Sequence, residues 1–148
     1  MKTLRRAALF IIISLNAIWG NAQQTKQIHL FDEYAAQLTA TPGQFEKAFS
    51  QPTESFISLQ FEKFSFSGRI ISNEKKYDNL QSIVITSPRF NNAAFHLSRQ
   101  INKDNSISYV GRIMQKDAAD GFELKQNEKG KYYLSKINTA KLLEPCHL

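Results

Sequence analysis

The chain has 148 residues and a formal net charge of +6, with eleven Phe, five Tyr, three His and a single Cys. One thiol excludes an internal disulfide framework. Lys and Arg that are scattered singly, with Lys75-Lys76 the only neighbouring pair beyond the leader, argue against a nucleic-acid-binding face, which needs clustered cations among aromatics.

Lys2, Arg5 and Arg6 precede an apolar run from Ala7 to Leu15 that only Ser14 interrupts. This is the charge order and length of a secretory signal peptide, and Gly20 and Ala22 supply small residues before a cut at Gln23. A membrane anchor would need about 20 apolar residues, and Asn16 and Asn21 end the run too early. Residues 1–22 are therefore expected to be removed. Residues 23–148 would then form one exported domain, periplasmic or secreted, with no transmembrane span. Sixteen cations would face thirteen acids, so the net charge falls to +3.

Ile28, Phe31, Ala35 and Leu38 recur at three- and four-residue steps and predict a short amphipathic helix. Thr41-Pro42-Gly43-Gln44 predicts a second, with Thr41 as N-cap, Pro42 in the first turn and Gln44 in the capping-box position. Phe45, Ala48 and Phe49 would form its apolar stripe, and Pro52 would stop it. The helical part is thus placed at 27–51, the β part at 55–137 and a carboxy-terminal tail at 138–148.

From Ser55 onward the pattern alternates and β-branched and aromatic residues dominate. Ile57, Leu59 and Phe61 share one parity and Phe64 and Phe66 the other, so a turn or bulge is expected at Glu62-Lys63. Further strands are predicted at Gly68 to Ser72, Leu80 to Ser87, Ala93 to Ile101, Ile107 to Met114, Gly121 to Gln126 and Lys131 to Ile137. Their separators, among them Tyr77-Asp78-Asn79, Lys103-Asp104-Asn105 and Lys129-Gly130, are turn formers. The predicted class is mainly β (α+β). Six or seven antiparallel strands would form a meander curled into a small barrel or curved sheet, with one or two short helices before it.

The meander repeats itself. Phe66-Ser67-Gly68-Arg69-Ile70 matches Tyr109-Val110-Gly111-Arg112-Ile113, Asp78-Asn79-Leu80 matches Asp120-Gly121-Phe122, and Phe95-His96-Leu97-Ser98-Arg99 matches Tyr132-Tyr133-Leu134-Ser135-Lys136. A duplicated three-strand unit follows, 64–101 and 107–137. Within it the aromatic and the glycine share one face and the arginine takes the other. Asp78 and Asp120 are expected to form turns at equivalent positions.

No catalytic, cofactor or metal-binding set is written locally: the three histidines lack ligand spacing and the six glycines are dispersed. The favoured reading is a non-catalytic module that binds a protein or a glycan, with Arg69, Arg112, Tyr109 and Phe66 as candidate surface. One alternative is a β-barrel carrier of a small apolar ligand. Another is a protease-inhibitor or propeptide-like module whose tail, Cys146-His147, enters a protease cleft and ligates its metal; separately, the lone Cys146 could be a reactive terminus or link a dimer.

Overall fold

The computed structural model describes residues 28–139. Eight antiparallel strands form one curled half-barrel sheet with a single short helix. In chain order they are β1 (Gln37–Ala40), α1 (Pro42–Phe49), β2 (Phe56–Phe61), β3 (Phe64–Tyr77), β4 (Leu80–Ser87), β5 (Ala93–Ile101), β6 (Ile107–Met114), β7 (Asp120–Gln126) and β8 (Tyr132–Asn138). Strands β2 to β8 are a pure meander, while β1 pairs with β8, giving the order β1-β8-β7-β6-β5-β4-β3-β2. The two free edges are therefore β1 and β2.

The alternating pattern works as expected. Inward residues Leu59, Phe61, Phe64, Phe66, Ile70, Ile83, Ile85, Phe95, Leu97, Ile113, Phe122 and Leu134 are buried. Phe64 is the hub of the core, in ring contact with Phe31, Tyr34, Phe61, Phe66, Phe90 and Phe122 at centroid distances of 4.7–6.4 Å. Rings thus fill the concave side of the sheet, where a carrier would keep a lumen. Each buried ring contributes roughly 1.5–3 kcal/mol over leaving it exposed.

The strands predicted at 80–87, 93–101 and 107–114 have those bounds in the structure. Glu62-Lys63 is a two-residue hairpin turn that closes the Phe61–Phe64 pair, with Glu62 at a φ of 54°. β3 runs further than expected, to Tyr77, because register shifts at Ile70/Ser72 and Lys75/Tyr77 let it bend around the core. The repeated halves are β3–β5 and β6–β8. Since each holds an odd number of strands, the second copy runs opposite to the first.

The glycines of the two copies share a purpose. A Cβ on Gly111 would lie 2.7 Å from the His96 carbonyl oxygen and 2.8 Å from the Phe95 ring, and one on Gly68 would lie 2.1 Å from the Thr86 carbonyl oxygen. Both are points of close approach where no side chain fits.

Two expectations, about the segment before β1 and about the repeat, are corrected. The first predicted helix is absent: Ile28 makes a parallel bridge to Ala118, residues 31–34 form a turn, and Leu38 lies in β1. Of its four apolar residues at helical spacing only Phe31 and Leu38 are buried, whereas Ile28 and Ala35 are exposed, so the segment has no continuous apolar stripe. The sheet meets the backbone groups that a helix would have bonded internally. The Asp120 carboxylate accepts the Leu30 and Phe31 N–H groups, each at 2.8 Å, and Lys136 Nζ donates to the Tyr34 carbonyl at 2.8 Å. That arrangement gives the second correction. Asp78 sits exposed in the β3–β4 turn beside Lys75, whereas Asp120 is buried and anchors a distant segment, so the matched positions do different work.

α1 lies where Pro42 and Pro52 predict it, and Phe45, Ala48 and Phe49 are its buried stripe. Thr41 is extended but makes no side-chain cap. Gln44 does not complete a capping box either, because its amide bonds the backbone of Gln60. Among the described residues no helix is long and apolar enough to cross a membrane.

Candidate functional site

The inward parity that places Gly68 and Gly111 also buries their aromatic partners. Phe66 is fully buried and Tyr109 is 6% exposed, so neither belongs to a binding surface. Tyr109 instead donates its hydroxyl to Glu46 on α1, which also accepts from Arg99 Nη1 at 2.8 Å. Arg99 lies over the Phe49 ring and reaches Gln81 at 3.0 Å. This network fastens α1 to β5 and β6. Burial first, and then the Glu46 carboxylate, push the Tyr109 phenol well above its ordinary value of 10.0.

Arg69 and Arg112 do face outward, yet both are engaged. Arg69 pairs with Glu54 at 2.9 Å. Arg112 grips Glu123 through Nε at 2.9 Å and Nη2 at 2.7 Å, and Lys125 reaches the other oxygen of Glu123 at 3.3 Å. The Arg112 hydrogen bond, against a smaller effect of burial, holds the Glu123 carboxyl below the usual carboxylate range. Two strands separate the arginines in the sheet, and Arg69 is not part of the groove that Arg112 borders.

That groove lies on the outer face of β5 and β6 and has a volume of about 840 Å³. Its floor is set by register, Ala94 opposite Met114 and His96 opposite Arg112. One wall is the turn before β5, where Asn91 and Asn92 both take positive φ, 50° and 59°; asparagine tolerates that region better than other side chains. The other wall is the β6–β7 loop, Gln115 to Ala118, with Thr139 at its end. Thr139 is fixed by donating its hydroxyl to the Ala118 carbonyl at 2.5 Å. Lys116 is exposed and makes no ion pair among the described residues.

Of the predicted surface, then, the groove retains Arg112 alone. Ala94, His96, Met114 and the Asn91-Asn92 turn were readable from strand parity and from a consecutive Asn pair after proline, but nothing in the sequence shows that they adjoin the β6–β7 loop. Cys146 and His147 lie outside the described residues, and nothing in the described part supports a dimer linked through Cys146. No protein-family model, curated protein or solved structure matches the chain.

Proposed function

We propose that the protein is an exported, non-catalytic module that binds an extended protein segment in the groove between the Asn91-Asn92 turn and the β6–β7 loop. The observation that carries this reading is the contrast between the two faces of the sheet. The concave face is filled by interlocked rings, whereas the outer face holds a hollow lined by polar side chains, among them Asn91, Asn92 and Lys116. Ligand sites generally combine an apolar floor with a few polar groups that orient the ligand. Here Ala94 and Met114 supply the apolar floor, Asn91 and Asn92 supply amides, and Lys116 supplies a cation next to the Asp117 carboxylate. An apolar side chain seated on Met114 with a neighbouring carboxylate toward Lys116 fits this chemistry. A glycan fits less well, since no aromatic ring lines the groove for a sugar face to stack on.

Selection of a displayed random-peptide library against the exported chain tests the reading. The selected peptides are expected to carry an acidic residue beside an apolar one, and to bind an Ala94→Trp variant at least tenfold more weakly because the indole fills the floor. Enzyme-like turnover of a panel of esters, peptides and glycans by the wild-type protein would overturn the non-catalytic assignment.

A further inference from the structure

We propose that His29, Asp32 and Asp120 form a binding site for a divalent transition-metal ion, zinc fitting best, which clamps the segment before β1 onto β7. The ligand atoms of the three side chains all lie within 4.8 Å of one another. His29 Nδ1 and Asp32 Oδ1 are 3.5 Å apart. Two ligands on a tetrahedral zinc ion with bonds of 2.0–2.2 Å stand roughly 3.4 Å apart, so this pair already has the required separation. His29 and Asp32 are exposed and open to an arriving ion, while Asp120 forms the buried floor.

The charge of Asp120 points the same way. Its side chain is only 4% exposed, and among the described residues no lysine or arginine pairs with it. The Leu30 and Phe31 amides that it accepts orient both oxygens but are neutral donors. A buried carboxylate is costly unless a cation compensates it, and each oxygen keeps a second lone pair for one. An imidazole nitrogen with two carboxylates is a donor set that suits zinc better than calcium, which prefers oxygen ligands throughout. Three protein ligands leave a fourth position for water.

The site was hidden in the sequence because His29 and Asp32 are three residues apart whereas Asp120 arrives from β7. It stands independently of the groove, although Ile28, next to His29, bridges Ala118 in the groove wall.

The test is calorimetric titration of the full exported chain with zinc chloride, against a His29→Ala/Asp32→Asn variant. Both substituted side chains are exposed, so the variant should fold, and circular dichroism checks this. Wild type is expected to bind one equivalent more than the variant and to gain thermal stability from zinc that the variant does not. Its cobalt adduct should have a nitrogen- and oxygen-ligated spectrum that is unchanged in a Cys146→Ser variant, which separates this site from the tail. Equal zinc titrations for wild type and the double variant, or no zinc bound by wild type, would overturn the proposal.

Discussion

The side-chain amide of Gln44 lies against the backbone of Gln60 and makes both hydrogen bonds that a neighbouring strand would make: Gln60 N–H donates to Gln44 Oε1 at 2.7 Å and Gln44 Nε2 donates to the Gln60 carbonyl at 3.0 Å. On the facing edge, the Thr39 N–H donates to Glu62 Oε1 at 2.9 Å. Gln44 thus ties α1 to the β2 edge, and Glu62, in the β2–β3 turn, ties β1 to that end of the sheet where backbone pairing stops. An open strand edge invites pairing with other chains, and these contacts blunt it.

A Gln44→Ala/Glu62→Ala variant should therefore keep its fold but lose about 1–2 kcal/mol. Hydrogen exchange at the Thr39 and Gln60 amides should accelerate, while exchange at Leu97 and Ile113 follows only the global loss. Unchanged protection at Thr39 and Gln60 would show that the seam is held by something else.

The repeated glycines predict an ordered pair of effects. At Gly68 the obstacles nearest an added methyl are the backbone oxygen and carbon of Thr86, at 2.1 and 2.7 Å, held in the β3–β4 ladder. At Gly111 the nearest obstacle is again a backbone oxygen, that of His96, but further off at 2.7 Å, with the buried side chains of Phe95 and Leu97 at 2.8 and 3.2 Å. Overpacking costs about 1–3 kcal/mol, and Gly68→Ala should stand at or above the top of that range with Gly111→Ala below it. Urea denaturation of the two variants measures the order.

Tyr109 sets an alkaline limit. Its phenol is raised in the folded state, so the stabilisation is fully present below pH 10 and is lost as the pH climbs above 10, where the unfolded chain releases the proton and the folded chain does not. Tyr109→Phe should cost about 1–2 kcal/mol at neutral pH through the lost bond to Glu46. Its stability should also fall less steeply than that of wild type between pH 10 and 12. Tyr34, raised chiefly by burial, leaves a residual slope.

Much of the sheet was legible in the sequence because parity and turn chemistry agree there. Leu80 to Ser87, bounded by Asp78-Asn79 and Pro88, could only be a strand with one buried face. Ile28 to Leu38 misled because only Phe31 and Leu38 of its four periodic residues turn inward, while its hydrogen bonds go to Asp120 and Lys136 far along the chain. The same parity argument that puts Arg112 outside puts Tyr109 inside, so the two could not share a surface. Both the groove and the His29–Asp32–Asp120 cluster depend on loops meeting strands that are distant in sequence, which local pattern does not encode.

The assignment of binding to the outer face is tested most directly by mapping amide chemical shifts of the isotopically labelled protein as a library-selected peptide is added. Shifts are expected to concentrate at Asn91 to His96 and Arg112 to Ala118, with the core amides of Phe64 and Phe122 unmoved. Shifts centred on the aromatic interior, or on the β2 edge at Phe56 to Ser58, would contradict it.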